Sequence, residues 1–172
     1  MKRIAFSLLI ISMLVSCGDH HFKTWHSYND TWYENYKRDS LYADTEVKRV
    51  EILPSGVIIQ AYHDGPGAIP KPTVDPVRKT SSSVYVSMDG HLADGTLFLL
   101  RGTASYELSD LVPGLREAMS LMRQGSHWKI IVPASGAYGK EGSKGTSLSS
   151  NFTVPPYSVL IFDIDLIDVQ NY

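Results

Sequence analysis

Tyr138 is the residue of this sequence that most clearly invites a chemical role. It ends the stretch IIVPASGAYG (residues 130–139), in which an apolar run stops at Pro133 and small residues lead to Ala137-Tyr138-Gly139. A tyrosine that serves only packing more usually lies within a strand or helix, whereas this ring follows a strand on a glycine-flanked turn. We therefore interpret Tyr138 as a presented ring, whose phenolic hydroxyl can donate a hydrogen bond.

Asp163 and Asp165 are a second candidate, because they lie two residues apart in an alternating run and so share one face of a predicted strand. Such a pair could work in hydrolysis, or it could form a solvated sheet edge or hydrogen-bond near a pocket. The sequence favours the structural alternative. His63, His91 and His127 are isolated, and a glycine-rich phosphate loop between a strand and a helix is absent from the sequence.

Three histidines near the N-terminus could suggest a metal site. His20, His21 and His26 lie in the polar stretch 18–26, but acidic or thiol ligands do not accompany them at a useful spacing. We therefore predict a flexible polar tether over residues 18–26, no metal site and no cofactor.

The first residues have the pattern of an export signal. Met1-Lys2-Arg3 supplies positive charge, and residues 4–15 form an apolar segment that is too short to span a bilayer. The stretch LVSC (residues 14–17) resembles the lipobox of bacterial lipoproteins, which implies cleavage before Cys17 and acylation of that residue. Cys17 is the only cysteine, so an intramolecular disulfide is excluded. We expect a lipid anchor in the bacterial cell envelope, with a simple secretory signal as the alternative.

Composition indicates one ordinary domain with an appendage. The chain has 172 residues, of which 43% are hydrophobic and 20% charged, which is typical of a folded globular protein. The formal net charge is −2 and basic residues do not cluster, so we expect no nucleic-acid partner.

The elements that would position these residues can be predicted from periodicity. Residues 27–42 are predicted to form a helix, with Ser27 and Asp30 in the form of a capping box. Tyr28, Trp32 and Tyr36 recur at intervals of four residues and form an aromatic stripe on this helix. The stripe either docks on the main domain, which we favour, or binds a partner.

The remainder alternates short apolar runs with turn signals, and Asp94-Gly95 is a strong turn signal before the run 96–100. Strands are predicted over 47–53, 56–62, 84–88, 96–100, 127–132 and 157–169, with a loop over 63–83. The single helix of this part is predicted over 113–124, with Pro113 at its first position and Gly125 after its end. Its predicted buried stripe consists of Leu115, Met119 and Met122. The expected class is α+β, with an antiparallel sheet packed on one short helix and a helical extension before it.

The order of five motifs resembles the FKBP-type peptidyl-prolyl cis-trans isomerases. These motifs are DGTLF (94–98), LVPGLREAMSLMRQG (111–125), AYG (137–139), VPP (154–156) and VLIFDIDLIDV (159–169). The resemblance covers residues 52–169 and implies a twisted antiparallel sheet wrapped around the helix. With the N-terminal features, it divides the chain into a signal peptide (1–16), a tether and helix (17–46) and an FKBP-like domain (47–172).

The resemblance also implies a site. Tyr138, Phe98 and Phe162 stand at the catalytic positions of the family's pocket. The substrate-binding positions are occupied by Met88, Leu99, Leu111, Val112, Leu115 and Val154. In this interpretation the Tyr138 hydroxyl and the Val112 backbone N–H donate hydrogen bonds to an X-Pro amide, and the substrates are proline-containing unfolded or exported polypeptides.

Three departures from the family pattern concern this pocket. The family usually has Asp where this chain has Leu99, Tyr where it has Met88, and Trp where it has Leu115. The loop over residues 140–153 is also long, and is either a partner-binding element or a tolerated insertion. These departures leave three hypotheses: an isomerase whose activity is weakened, a chaperone-like or adaptor module that binds without catalysis, and a structural envelope protein.

Overall fold

The computed structural model describes residues 17–73, 81–145 and 152–172, and its centre is a six-stranded antiparallel sheet. The strand order is β1-β2-β5-β8-β3-β4, and a second, two-stranded sheet pairs β6 with β7. The strands are β1 (Arg49–Ile52), β2 (Ile58–His63), β3 (Ser83–Leu92), β4 (Leu97–Glu107), β5 (His127–Val132), β6 (Ser143–Lys144), β7 (Thr153–Val154) and β8 (Leu160–Gln170).

Alternation in β8 divides the sheet into two faces. The side chains of Leu160, Phe162, Ile164 and Leu166 are buried on the inner face, whereas Asp163 and Asp165 point to the outer face. This arrangement confirms the prediction from the sequence, because successive side chains of a strand point to opposite sides. The inner face packs against a short helix, and together they enclose the main core.

That helix, α2 (Pro113–Met119), begins at the predicted proline but ends five residues earlier than predicted. The Ser120 hydroxyl donates to the Glu117 carbonyl at 2.6 Å, and the next two amides bond three residues back instead of four. These bonds tighten the chain into turns that lead to Gly125 at φ +88°. The buried Leu115 and Met119 still lie on one side of α2, as predicted.

The hairpin between β3 and β4 is longer than predicted. Gly95 has φ +85° and the Asp94 carboxylate accepts a hydrogen bond from the Thr96 N–H at 2.9 Å, so the Asp94-Gly95 turn is confirmed. Pairing then continues from His91–Leu97 to Ser83–Glu107. The sequence prediction ended both strands too soon, because polar residues on an exposed strand weaken the apolar signal but not the backbone ladder.

The N-terminal helix, α1 (Cys17–Asn35), continues into a π-helical turn at Tyr36–Ser40. Residues 18–26 are therefore helical, and the prediction of a flexible tether there is wrong. The prediction of a capping box at Ser27 is also wrong, because Ser27 lies inside the helix. Trp25 packs against the main core, and its indole N–H donates to the Ser158 hydroxyl at 3.1 Å. This contact extends the docked face by about one turn beyond Tyr28.

The helix α1 docks on the outer face of the sheet in its own chain. Trp32, Tyr33 and Tyr36 pack on a second buried cluster, which consists of Leu41, Ile58, Ala93, Ile131 and Val159. The Tyr33 hydroxyl donates to the Gly56 carbonyl, and the Tyr36 hydroxyl donates to Gln60 Oε1 at 2.6 Å. Within the described residues, helices with the length and hydropathy needed to cross a bilayer are absent.

Three predictions fall partly outside the described residues. The signal peptide at 1–16 lies outside them, and Cys17 is the first residue of the described backbone. Parts of the two predicted loops, at 74–80 and 146–151, also lie outside.

Candidate active site

All nine residues predicted for the site belong to the main core or pack against it. Eight belong to the same buried apolar cluster and Tyr138 packs against it; the eight are Met88, Phe98, Leu99, Leu111, Val112, Leu115, Val154 and Phe162. They come from β3, β4, the entry to α2, α2 itself, β7 and β8. Among the partly exposed residues that pack on this cluster are Ala137, Tyr138 and Phe152.

Three aromatic rings form one wall of the site. The Phe98 ring meets Phe162 edge-on, with centroids 5.6 Å apart and an interplanar angle of 86°. On its other side it contacts Phe152 in a tilted arrangement at 6.3 Å. Both geometries are favourable for aromatic pairs. The rings therefore run from a fully buried position at Phe162 to a partly exposed one at Phe152.

The Phe98 ring lies directly over the backbone of β3 at Gly90. A Cβ atom on Gly90 would stand 2.6 Å from Phe98 Cζ and 2.9 Å from Cε1, closer than any ordinary contact. Gly90 also pairs with Phe162 of β8 and with Leu99 of β4. A glycine at this position is thus what lets the Phe98 ring meet Phe162.

Tyr138 stands on a tightly bonded turn. A 3₁₀ turn spans Ala134–Gly136 and precedes Tyr138. The Gly139 N–H then donates to the Ala134 carbonyl at 2.9 Å, and Gly139 has φ +58°. The Gly139 carbonyl accepts from the Tyr157 N–H at 2.7 Å, which ties this turn to the segment that follows Val154. The backbone therefore fixes the turn that carries Tyr138, and the Tyr138 ring packs against the main core.

The backbone of Val112 is also placed at the site. It is the N-cap residue of α2, with φ −55° and ψ 146°, and its carbonyl accepts from the Arg116 N–H at 3.0 Å. Its own N–H has no backbone acceptor among the residues that the structure describes. Leu115, one turn further on, is fully buried in the main core.

The departures from the family pattern make the lining more apolar. Met88 is 2% exposed and Leu99 is 9% exposed, and both pack in the hydrophobic cluster. Met88 faces Gly102 on β4 and Ile164 on β8. A carboxylate in place of Leu99 would therefore need a polar partner that its buried neighbours do not supply.

The Asp163–Asp165 pair belongs to a separate cluster on the outer face. Arg101 binds Asp163 at 2.8 Å and Asp165 at 2.5 Å through Nη1 and Nη2, and Nη1 also binds Asp89 at 2.6 Å. Burial raises the pKa of Asp163, but hydrogen bonds from Arg101 and His127 more than offset this, so the pKa lies below its ordinary value. These carboxylates hold strands together and take no part in the apolar site.

Two residues of the site were missed from the sequence. Gly90 has no local signal, because its importance depends on a ring eight residues further along the chain. Phe152 was included only in a long loop; its place two residues before the Val-Pro-Pro motif was a signal that could have identified it.

Comparisons with known proteins agree with this fold and site. Residues 76–167 match the family described as FKBP-type peptidyl-prolyl cis-trans isomerase. The FKBP-type 22 kDa peptidyl-prolyl cis-trans isomerase of Escherichia coli is 34% identical over 70% of this chain and 53% of its own length. The outer membrane protein MIP of Legionella longbeachae is 34% identical over 70% and 47%.

Solved structures support the fold. FkpA from Escherichia coli aligns with a TM-score of 0.69 at 24% identity, which covers 89% of this chain and 64% of that one. A peptidyl-prolyl cis-trans isomerase from Pseudomonas syringae aligns with a TM-score of 0.66 at 23% identity, which covers 87% and 96%.

The fold and site thus define an α+β domain whose sheet and single core helix surround an aromatic site, which confirms the predicted fold class. The chain belongs to the FKBP-type peptidyl-prolyl cis-trans isomerase family. It spans about half the length of the curated relatives it matches.

Proposed function

We propose that this protein catalyses cis-trans isomerisation of X-Pro bonds in unfolded polypeptides. The observation that carries the proposal is that Phe98, Phe162, Leu115 and Val154 are buried in one apolar cluster, against which the partly exposed Tyr138 packs. A proline ring is compact and apolar, and burying it against such a lining gives a favourable free energy. The family assignment points to the same reaction.

The reaction makes and breaks no covalent bond. The barrier to rotation about the amide is about 18–20 kcal/mol, and it arises because the planar amide is stabilised by resonance. In the twisted transition state this resonance is lost, and hydrogen-bond donors held at the new geometry lower the barrier. We assign these donors to the Tyr138 hydroxyl and the Val112 backbone N–H, with Phe98 and Phe162 as walls and Leu115 as the floor.

The remaining lining residues take the substrate-binding roles implied by the resemblance. Leu111 and Val154 contact the proline ring, and Met88 and Leu99 complete the wall beside Phe98. Met88 and Leu99 stand where the family has polar groups, so an interaction with the transition state would be lost. An interaction that contributes about 1.4 kcal/mol lowers the rate about tenfold when it is removed. We therefore expect catalysis that is slower than in family members with Tyr and Asp at these positions.

The activity is tested on the purified chain with peptides that contain one X-Pro bond, by exchange spectroscopy without a coupling protease. The expected result is faster interconversion of the cis and trans forms. Tyr138→Phe removes only the hydroxyl and should lower kcat/KM about tenfold, whereas Tyr85→Phe removes an exposed hydroxyl on β3 and should change nothing. Interconversion at the uncatalysed rate would refute the proposal.

A second candidate function is binding without catalysis, as a chaperone-like or adaptor module. The burial of Met88 and Leu99 in the lining favours it, since they add apolar contact and no donor. It predicts that the chain suppresses aggregation of an unfolded client while leaving the rate of isomerisation unchanged.

For localisation we propose lipid attachment at Cys17 after removal of residues 1–16, with the domain held at the bacterial envelope and acting on exported proteins. The lipobox-like stretch supports this, and one relative is named an outer membrane protein. Acyl chains contribute about 0.8 kcal/mol of membrane affinity per buried methylene.

Mass spectrometry of the N-terminal peptide should detect acylated Cys17. In a Cys17→Ser variant, the protein should leave the membrane fraction; a variant that remains there would contradict the proposal.

A further inference from the structure

We infer that His26 and Tyr157 are positioning residues for the proposed reaction: their stacked rings fix the turn that carries Tyr138, so the helix α1 helps to build the site. The inference rests on the proposed function and goes beyond it, because it gives a role to residues outside the apolar lining. It depends on the backbone of Tyr157, on its hydrogen bond to the Tyr138 turn and on its contacts with α1.

Tyr157 is held in a backbone conformation that a side chain disfavours. Its φ is +61°, and among the residues that the structure describes it is the only non-glycine residue with a positive φ. A left-handed conformation costs a non-glycine residue free energy and persists only where the surroundings impose it. Such residues cluster at functional sites. The contacts of Tyr157 therefore indicate what this conformation serves.

The first contact joins Tyr157 to the turn that carries Tyr138. The Tyr157 N–H donates to the Gly139 carbonyl at 2.7 Å, and the Gly139 N–H donates to the Ala134 carbonyl at 2.9 Å. Gly139 directly follows Tyr138, and both of its backbone polar groups are thus hydrogen-bonded. The bond from Tyr157 is the one that ties the turn to a distant part of the chain.

The second contact joins the ring of Tyr157 to α1. The imidazole ring of His26 is stacked on the phenol ring of Tyr157, with centroids 3.9 Å apart and an interplanar angle of 19°. Contact between aromatic rings is favourable and specific in its geometry. His26, Gly139 and Tyr157 also line one cleft, so α1 and the Tyr138 turn meet at this ring pair.

The helix α1 also holds the chain that follows Tyr157. The Ser158 hydroxyl accepts from the Trp25 indole N–H at 3.1 Å, and the Val159 N–H donates to Asn29 Oδ1 at 2.8 Å. With these two residues held, the φ of Tyr157 decides where its own N–H points. An ordinary negative φ would turn that N–H away from its acceptor. The stack on α1 thus stabilises the conformation that aims the N–H at the turn.

The consequence for the reaction is a loss in kcat when the stack is removed. The Tyr138 hydroxyl is the proposed donor to the transition state, and its effect depends on its position. Without the stack the hydroxyl would be displaced but still present, and the apolar lining that binds proline would be unchanged. We therefore expect a fall in kcat that is smaller than the fall caused by Tyr138→Phe, with little change in KM.

The test measures kcat and KM on a peptide with one X-Pro bond for the unmodified chain and three variants of α1. His26→Ala removes the stacking ring and should lower kcat about fivefold, with KM changed less than about twofold. His26→Phe keeps an aromatic ring and should restore kcat. Ser27→Ala truncates an exposed neighbour on the same helix and should change neither constant. Alanine is the best helix former, so α1 should remain helical in both alanine variants.

A double-mutant cycle separates positioning from a general loss of structure. If His26 acts through the Tyr138 hydroxyl, His26→Ala should lower kcat much less in the Tyr138→Phe background than in the unmodified chain. Effects that multiply would mean that His26 acts only on the fold, and they would overturn the inference. An unchanged kcat in His26→Ala, or a loss that His26→Phe does not restore, would overturn it as well.

Failure of the proposed function has a different signature. If the unmodified chain does not accelerate the peptide, the proposed function fails, and amide hydrogen exchange decides whether the stack fixes the turn. Faster exchange of the Tyr157 N–H in His26→Ala, but not in Ser27→Ala, supports that part of the inference. Equal exchange in all three chains, without catalysis, overturns both proposals.

Discussion

Substitution of Gly90 by alanine is the sharpest test of how the aromatic wall is built. The change adds one methyl group to β3, directly beneath the Phe98 ring. The new Cβ would stand 2.6, 2.9 and 3.0 Å from three atoms of that ring, whereas ordinary van der Waals contact is 3.4–4 Å. The ring or the strand must therefore move by about 1 Å, since side chains in a packed core have little free space.

The structure indicates how large the effect should be. The Phe98 ring is 3% exposed and contacts rings on two sides, so it cannot move without disturbing Phe162 or Phe152. Overpacking of a core by one methyl group destabilises a protein by about 1–3 kcal/mol. A displacement of about 1 Å in a site that positions a substrate can lower the rate about 100-fold. We expect Gly90→Ala to lower the free energy of unfolding by about 1–3 kcal/mol and kcat/KM by about 100-fold.

Denaturant unfolding and kcat/KM on a Leu-Pro peptide measure the two effects. Gly102→Ala is the matched control on the same hairpin, because its Cβ would meet only the Leu100 carbonyl oxygen at 3.7 Å and should change stability by less than about 0.5 kcal/mol. The double variant Gly90→Ala with Phe98→Leu should lose less stability than the two single variants lose together, since the smaller side chain relieves the clash. Equal behaviour of the two glycine variants would refute the reasoning.

Three further predictions concern the rest of the fold. Asn29 is 1% exposed and accepts the Val159 N–H at 2.8 Å, so Asn29→Ala should lower the free energy of unfolding by about 1–3 kcal/mol. Arg101→Met should destabilise the protein at pH 7, and its difference from the unmodified chain should shrink as the pH falls below about 4. The pKa of Asp163 is lowered in the folded state, so its contribution to stability is present above the unfolded pKa and is lost as the pH falls through the folded one. Leu99→Asp should destabilise the fold by several kcal/mol at pH 7, because it buries a carboxylate without a partner.

Each of these predictions has a control in the same chain. Asn35→Ala removes an exposed amide of α1 that bonds only to a neighbouring arginine, and a loss equal to that of Asn29→Ala would contradict the first. Arg123→Met removes a single long contact, to a carbonyl at 3.4 Å; a pH-independent difference for the Arg101 variant would contradict the second. Leu100→Asp places the charge at an exposed neighbouring position, and equal stability of both aspartate variants would contradict the third.

Much of the fold was predictable because its signals are local. The alternation of Leu160 to Leu166, the Asp94-Gly95 turn and Pro113 at the start of α2 depend on period and turn chemistry, and the structure confirms all three. The lining of the site followed from the order of the family motifs, and the structure brings those residues together.

The extent of α1 could not be predicted in the same way. Its first turns are polar, and Trp25 beyond them contacts Ser158, which lies 133 residues away in sequence. Local propensity carries no information about such a contact, and helices of this length depend on tertiary packing for their stability. The sequence therefore identified the aromatic stripe but placed its beginning too late.

The sequence by itself determined the strand pattern, the hairpin turn and the glycine-flanked turn that carries Tyr138, because each follows from the conformational preferences of a few adjacent residues. Only the tertiary structure decided that Gly90 supports the Phe98 ring, that Phe152 joins the aromatic wall, and that Arg101 neutralises the carboxylates of two other strands. Those roles arise from close packing and charge pairing between segments that only the folded chain brings within contact distance.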